Sequence, residues 1–479
     1  MIVSIFIFNQ FVSFFSHKGG TIEKNDFYSI LELILQGNAD MGIFDFLLGK
    51  DDKIYNETYR FGRFLECNKP AVFTKIYNEA TDHFKQGRYA DSFVKFLDYL
   101  ATPPENNVTF KRSGDSVEFS ITHGSAVITG TFDSNGTFAT SEIGEYSGRS
   151  AALFRDLLTK NFSMNYCCFC AKNNRIYLKH ISPLKESSPL KLYYAIKEMA
   201  LKADIHSQSL FDDFNMLHES SQREKKEATP LEKTVKIKYL RQWINDTFNA
   251  TSSMSPEKDA NLMSHYLLAL CYRIDFLLLP RGKVWKINDS AIAIYSDKVL
   301  TQSEKIRKMI SFLKDILDLS DADMNGCFFK TVDTFALVNA STQNDLVQFL
   351  LDQFSSAKYY SDLHQEKNTV AVYEQALGYT TYFLGIYPAV RSLLTLYYRI
   401  FYPGFFNELG IKSDFYDAAT GKFNKRAIEN EIQSIIGHER KLFPSLNFIT
   451  YNLRYESPSR FAFTFLNEIT YLNFLQPAK

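Results

Sequence analysis

Residues 149–210 hold the pattern that most constrains this chain, because two helical stretches flank a short hairpin and turn residues mark each boundary. The first stretch has apolar residues at helical spacing, namely Leu153, Phe154, Leu157, Leu158 and Phe162. Two β-rich runs, 165–171 and 175–181, then lie on either side of Lys172, Asn173 and Asn174. The pattern predicts a helix, a two-stranded hairpin and a longer helix over 189–214.

The preceding residues predict a helical hairpin and then a meander of strands. Apolar residues repeat at helical spacing over 69–104, with a break at Gly87. The period changes over 107–146, where alternating runs are separated by Ser113-Gly114, His123-Gly124 and Ser134-Asn135-Gly136. Three or four short antiparallel strands are expected there. Residues 72–214 therefore predict an α+β layer, an antiparallel sheet with helices.

The rest of the chain is predicted to be mainly helical. Residues 215–230 are predicted to be a charged linker, because the stretch from His218 lacks large apolar residues. A helical domain of no recognised family is predicted for 231–479. Its most apolar stretch, 379–406, contains Arg391 and Arg399, and a central arginine costs about 2.5–3.5 kcal/mol in membrane insertion. Buried helices are therefore expected there, and a membrane association is not.

Charge and cysteine content limit the partners and the compartment. The 479 residues include 54 basic and 54 acidic side chains. Since nucleic-acid binders need a basic excess, no nucleic acid is expected as a partner. Six cysteines without a regular framework favour a reducing cytoplasm over a secreted scaffold.

The N-terminal residues allow two interpretations. The string MGIFDFLLGKDDK from Met41 is typical of a bacterial N-terminus, so residues 1–40 are interpreted as an upstream extension from a wrong start. The alternative is an N-terminal helix around residues 27–35. Residues 41–71 then form a lead segment before the α+β layer.

Three clustered cysteines are the obvious candidate metal ligands. Cys167, Cys168 and Cys170 do not have the spacing of a zinc knuckle. On a strand, Cys168 and Cys170 share one face while Cys167 points to the other, and His180 on the next strand is the one further candidate ligand. Buried structural thiols are expected instead.

No residue set is typical of an enzyme. The sequence has no Walker loop, no G-x-G-x-x-G and no G-x-S-x-G. No catalytic, cofactor-binding or metal-binding residue is therefore predicted, and no cofactor is expected.

The string MNYCCFCAKNNRIYLK, between the helices LFRDLLTKNF and LYYAIKEMALKAD, resembles the bacterial YbjN family. That family has a fold similar to type III secretion chaperones. The resemblance covers about residues 72–214. It implies a non-enzymatic bacterial protein that binds partner polypeptides or pairs into dimers.

The resulting hypothesis is a cytoplasmic protein-binding protein. A face with Tyr166, Phe169 and Tyr177 is predicted to contact a partner protein or a second copy, since a short sheet leaves a face or an edge uncovered. The alternative is an enzyme of unknown class, with its site at the junction of the two halves or in the helical half, because pockets favour such junctions.

Overall fold

The computed structural model describes residues 59–63, 71–102, 105–148, 150–223 and 225–475. They belong to one compact unit, Asn56–Lys479. Residues 71–223 form a sheet with helices (the sheet half), and residues 225–475 are mostly helical (the helical half). The predicted succession of an antiparallel sheet with helices and a mainly helical region is confirmed. The predictions for residues 1–40, and those for the lead segment apart from 59–63 and 71, lie outside the described residues.

The sheet half begins with the predicted helical hairpin and continues into the predicted meander. Its helices are α1 (Ala71–Lys85), α2 (Tyr89–Leu100), α3 (Ala151–Asn161) and α4 (Pro189–Asp213). Its strands are β1 (Val108–Ser113), β2 (Ser116–His123), β3 (Ala126–Asp133), β4 (Gly136–Tyr146), β5 (Cys168–Lys172), β6 (Arg175–Pro183) and β7 (Leu217–Glu219).

These strands form one antiparallel sheet in the order β1-β2-β3-β4-β6-β5, with β7 paired to β4. Alternation along β2 shows which face is covered, since Val117, Phe119 and Ile121 are buried whereas Glu118 is exposed. The buried face packs against α1, α2, α3 and α4 in a single core. The other face carries threonine and serine side chains together with charged residues and the exposed pair Phe138 and Ile181, which lie opposite each other on β4 and β6.

Local sequence explains the boundaries of these elements. Asn173 and Asn174 both adopt positive φ, 51° and 60°, as a two-residue turn between β5 and β6 requires. Ser150 caps α3 by accepting the Leu153 N–H at 3.2 Å. Ser188 caps α4, whose first residue is a proline.

The helical half has eleven α-helices among its described residues, and a π-helix follows α6. The helices are α5 (Pro230–Thr251), α6 (Ala260–Arg273), α7 (Gly282–Tyr295), α8 (Gln302–Leu317), α9 (Asp321–Gly326), α10 (Gln343–Asp362), α11 (Glu366–Phe383), α12 (Pro388–Phe401), α13 (Pro403–Glu408), α14 (Lys425–Glu439) and α15 (Pro458–Thr470). The π-helix is Ile274–Leu278. The short strands are β8 (Lys226–Glu227), β9 (Phe329–Lys330), β10 (Tyr416–Asp417) and β11 (Lys422–Phe423).

The apolar stretch 379–406 lies in the core of the helical half. Tyr397 and Tyr398 on α12 and Phe405 on α13 are almost completely buried. This agrees with the prediction of buried helices. Among the described residues, no helix combines the length and apolarity needed to cross a bilayer.

The charged segment 215–230 carries two strands. Strand β7 pairs with β4 of the sheet half, and β8 pairs with β9 of the helical half. Between them, the side chain of Arg223 is only 3 % exposed. The segment is therefore attached to both halves, while the predicted domain boundaries stay a prediction.

Residues 331–335, here called the junction segment, run from the helical half to the sheet half. Val332 forms a β-bridge with Gly124, which directly follows β2. Phe335 is 1 % exposed and packs in the core of the sheet half. Its ring contacts His123 and Tyr193 edge-on, with both pairs of ring centroids 5.9 Å apart. One half therefore completes the core of the other.

We expect Phe335→Ala to lower the free energy of unfolding by about 3–5 kcal/mol, because it leaves a cavity in that core. Leu337→Ala is the matched control, since Leu337 lies two residues further and is 38 % exposed. Urea unfolding is followed by circular dichroism and by tryptophan fluorescence, because both tryptophans, Trp243 and Trp285, lie in the helical half. In Phe335→Ala the unfolding midpoints from both signals should move to lower urea concentration together. A lower midpoint by circular dichroism alone would contradict a core shared by the two halves.

Candidate functional site

The three residues of the predicted binding face do not lie on one surface. Tyr166 is 38 % exposed in the loop before β5. Phe169 is 6 % exposed, pairs with Leu178 across β5 and β6, and lies in the core of the sheet half. Tyr177 is opposite Cys170 on the other face of the sheet. The face therefore has to be corrected, because the period of two places Phe169 inside and Tyr177 outside.

Glu198 of α4 fixes the loop that carries Tyr166. Its carboxylate accepts the backbone N–H groups of Asn165 at 2.9 Å, Tyr166 at 2.7 Å and Cys167 at 3.0 Å. Three charge-assisted hydrogen bonds replace the strand pairing that these amides lack. Tyr166 is thereby held beside α4.

Exposed apolar side chains also occur on α3, which precedes this loop, and on α4, which holds it through Glu198. Leu158 and Phe162 lie one turn apart at the end of α3, and Leu190 and Tyr194 lie one turn apart on α4. We call the five side chains the aromatic surface; their exposed fractions are Leu158 68 %, Phe162 97 %, Tyr166 38 %, Leu190 59 % and Tyr194 50 %. Isolated exposed apolar residues are normal, but a group of this kind marks an interaction site.

Charged side chains near the aromatic surface form pairs of opposite sign. Lys160 contacts Asp156 at 2.5 Å on α3, and Lys191 contacts Glu186 at 2.7 Å at the start of α4. These four charges therefore cancel in pairs and attract no partner by themselves.

The β5 edge of the sheet is closed to a further strand at its centre. The Phe169 N–H donates to Asn161 Oδ1 at 2.6 Å, and Asn161 Nδ2 donates to the Phe169 carbonyl at 3.2 Å. A side chain thus occupies the backbone groups that an added strand would need.

The cysteines near β5 do not converge on a metal site. Cys168 is exposed and Cys170 is half-buried, whereas Cys167 is 8 % exposed beside α4. His180 lies on the covered face, and its Nδ1 hydrogen-bonds the Tyr166 carbonyl at 2.8 Å. No group of three or more His, Cys, Asp or Glu side chains among the described residues is arranged to hold a metal ion.

A second candidate site lies where the two halves meet. A cleft of about 70 Å³ is lined by charged residues from both halves and by the aromatic side chains Trp285, Phe329 and Phe335. Its charged residues come from five separate parts of the chain and are Arg63, His123, Asp204, Asp275, Arg281 and Asp333. Such a junction is where ligand sites are commonly found.

Buried ion pairs dominate this cleft. Arg63 binds Asp275 with two hydrogen bonds of 2.8 Å and 2.6 Å and stacks over the Tyr382 ring, 4.0 Å from its centroid. Arg281 donates to Thr331 at 2.7 Å and lies 3.4 Å from both Asp204 and Asp333. Asp333 is also 3.0 Å from Arg60. Although burial opposes it, the two nearby arginines lower the pKa of Asp333.

Asp204 fixes the turn after β2. It accepts the Ser125 N–H at 2.7 Å and the Ser125 hydroxyl at 2.9 Å. Gly124 has φ +61°, and a Cβ added there would lie 2.1 Å from the Asp204 carboxyl carbon. Only glycine therefore allows this close approach.

Unusual backbone adjoins the same cleft. The π-helix Ile274–Leu278 ends at Leu279, which has φ +46° although it is a bulky residue. Both features are rare and occur preferentially at functional sites. Here they place Arg273 and Asp275 in the interior, where Arg273 contacts Glu374 at 3.3 Å.

The pairing of its carboxylates with arginines limits the chemistry that the cleft can perform. Asp204, Asp275 and Asp333 each contact at least one arginine. A general base needs a lone pair that faces a substrate, and these carboxylates are occupied by cations. The arrangement holds the two halves together more readily than it transfers protons.

No protein-family model, curated protein or solved structure matches this chain. The resemblance to YbjN proteins therefore stays a prediction. The alternative prediction placed a site at the junction of the two halves, but the sequence indicated none of the residues of the cleft, since Arg63 and Asp333 are 270 positions apart. One signal was present: Arg273 and Asp275 interrupt an otherwise apolar run, LLALCYRIDFLLLP.

We expect Asp275→Asn to destabilise the protein by about 3–5 kcal/mol, because it leaves the Arg63 charge buried without its partner. Asp362→Asn is the control, since the Lys358–Asp362 pair is exposed at the surface and should contribute nothing measurable. Chemical denaturation of both variants measures the difference. Equal stabilities would contradict the structural role of the Arg63–Asp275 pair.

We also expect iodoacetamide at pH 7.5 to modify Cys168 before the other described cysteines. Burial raises the pKa of Cys271 to about 12 and also raises the pKa values of Cys167 and Cys327, so their thiolate fractions are small. Peptide mass spectrometry over a time course measures the order of alkylation. Early modification of Cys167 would contradict the placement of its side chain.

Proposed function

We propose that the protein functions by binding a polypeptide, and that the occupant of its aromatic surface is a second copy of the chain. The observation that carries this proposal is Phe162, an aromatic side chain 97 % exposed just after α3, together with further exposed apolar side chains on α3, the following loop and α4. Leaving such a group in water is unfavourable, and covering it with a partner recovers about 25 cal/mol per Å² of apolar area.

The composition of the surface suits a protein interface. Tyr166 and Tyr194 offer large rigid rings with polar ends, and tyrosine is enriched at interface centres. A stable interface buries about 1,200–2,000 Å² in total, so the aromatic surface supplies the apolar centre of a larger contact.

A second copy fits the rim of this surface. Two ion pairs lie beside it, Asp156 with Lys160 and Glu186 with Lys191, and a strongly acidic or basic partner gains no attraction from them. In a twofold dimer the same surface faces itself, and charges neutralised in such pairs do not repel their copies. The resemblance to YbjN and type III chaperone-like proteins supports the same reading.

The setting proposed for this function is the cytoplasm. The five described cysteines are free. Unpaired thiols in a protein of this size are typical of a reducing compartment.

An enzymatic or ligand-binding role of the junction cleft is the second candidate. The π-helix, the positive φ of Leu279 and the convergent His, Asp and Arg side chains favour it. The mutual pairing of those charges places it second. Thermal-shift screening against small polar compounds tests it, with loss of any hit in Arg281→Lys as the criterion.

The proposal predicts a dimer that a charge in the aromatic surface disrupts. Phe162→Asp should weaken self-association of the full chain at least about thirtyfold, because it buries a carboxylate at the interface centre. Val299→Asp is the matched control, since Val299 is 91 % exposed in the helical half and outside the aromatic surface. Sedimentation equilibrium measures both.

Phe162→Asp should keep the circular-dichroism spectrum of the original chain, because the replaced side chain contributes nothing to the core. A chain that stays monomeric at 100 µM, or a dimer that Phe162→Asp leaves intact, overturns the proposal. The cleft candidate would then take first place.

A further inference from the structure

His123 accepts hydrogen bonds that connect the two halves. Its Nδ1 accepts the backbone N–H of Thr334 at 3.0 Å and that of Phe335 at 3.3 Å. Both donors belong to the junction segment, whereas His123 ends β2 of the sheet half. An imidazole nitrogen that accepts two N–H groups carries no proton, so His123 is neutral when the segment is docked.

We propose that His123 is a pH sensor whose protonation releases the junction segment. Proton uptake from solvent at Nδ1 forms one N–H bond and uses the lone pair that both backbone donors share. The new N–H group then faces the Thr334 and Phe335 N–H groups without an acceptor between them. Protonation therefore removes both hydrogen bonds that hold the segment on His123, and the nearby Asp333 carboxylate attracts the new charge without restoring them.

The remaining contacts of the segment show what the release would undo. The Thr334 hydroxyl donates to the Thr122 carbonyl at 2.5 Å and accepts Asn107 Nδ2 at 2.9 Å. The Gly124 N–H donates to the Val332 carbonyl at 2.7 Å. On the junction segment, these bonds involve only Val332 and Thr334, which lie within two residues of the N–H groups that His123 accepts. Movement of Thr334 away from His123 therefore affects the whole docked segment.

The charged groups around His123 come from every neighbouring element. Asp333 lies on the junction segment itself, and Asp204 on α4 faces the cleft together with Arg281 before α7. Asp275 of the π-helix and Arg63 line the same cleft. Glu105 lies near Asp333 and Arg60; burial raises its pKa and Arg60 opposes that change.

Arginine and aspartate keep their charges between pH 5 and 8, while histidine changes its charge in this range. An imidazole in water has a pKa of about 6.5, so the released form gains a proton below that value and the docked form does not. Docking is therefore fully stable above about pH 7 and weakens as the pH falls. At pH 5.5 the released population rises about tenfold relative to pH 7.5.

In mild acid, the contact between the junction segment and the sheet half is therefore weakened. Phe335 leaves the core of the sheet half, and the cleft beside Trp285 opens. This behaviour is independent of the aromatic surface on α3 and α4, so it holds whether or not the chain forms a dimer.

Hydrogen–deuterium exchange of the full chain tests the proposal. Exchange of peptides that cover residues 329–337 is measured at pH 7.5 and pH 5.5 and divided by the intrinsic rate at each pH. The original chain should lose about tenfold protection at the lower pH. His123→Asn should lose less than about threefold, because the asparagine Oδ1 can accept near the Nδ1 position but does not titrate in this range.

His364→Asn is the matched control, since His364 is exposed and its φ of +56° suits asparagine. It should behave as the original chain. Equal pH dependence in the original chain and His123→Asn overturns the proposal.

A second measurement follows the protonation of His123 in the original chain as the pH is lowered. Nitrogen-15 spectra of histidine-labelled protein show the protonation state of each ring, and absence from the His123→Asn spectrum identifies the His123 signal even if that variant is destabilised. We expect the Nε2–H form at pH 7.5 and the imidazolium only together with loss of protection at residues 329–337. An imidazolium in a protein whose segment stays protected contradicts the proposal.

Discussion

Three arginines and three aspartates lie together where the sheet half meets the helical half, and the Arg63–Asp275 pair is the most buried contact among them. Taking a guanidinium and a carboxylate out of water costs several kcal/mol per ion, and only close pairing offsets this. The two hydrogen bonds of this bidentate pair and the stacking of Arg63 over the Tyr382 ring supply that compensation. The Arg63–Asp275 pair fixes residues 59–63 against the π-helix, and the contact of Arg281 with Asp204 joins the helical half to α4 of the sheet half.

This constraint acts through contacts that are individually modest. Arg281 reaches both Asp204 and Asp333 at 3.4 Å, so it connects α4 to the junction segment without a short bond to either carboxylate. The junction segment adds backbone hydrogen bonds and the apolar side chain of Phe335. Because charge, backbone and apolar contacts converge on five residues, the loss of one contact weakens the others. Of the aromatic surface, Tyr194 reaches these contacts through Tyr193, whose ring packs against Phe335, whereas Phe162 is 97 % exposed.

Local patterns predicted most of the sheet half. The Asn173-Asn174 turn and the hairpin strands on either side of it are determined by residues close in sequence, and both are found where the sequence predicted them. The serine caps are equally local but were not predicted. The binding face was mispredicted because Phe169 and Tyr177 lie on opposite faces of the sheet, which follows from their pairing with Leu178 and Cys170. A site at the junction was predicted as an alternative, but its residues could not be, since the cleft unites Arg63, His123 and Asp333 from distant positions and no short motif encodes such an encounter.

Phe335 also has a consequence for how the chain acquires its structure during synthesis. The last residue of the sheet half, 223, leaves the ribosome 112 positions before residue 335. At roughly 5–20 residues per second, the nascent sheet waits on the order of ten seconds for the ring that fills its core. During that time its apolar interior lacks one side, and β2 lacks the segment that covers its end. Slowly translated messages would lengthen this exposed interval, and general folding factors would find their binding site there.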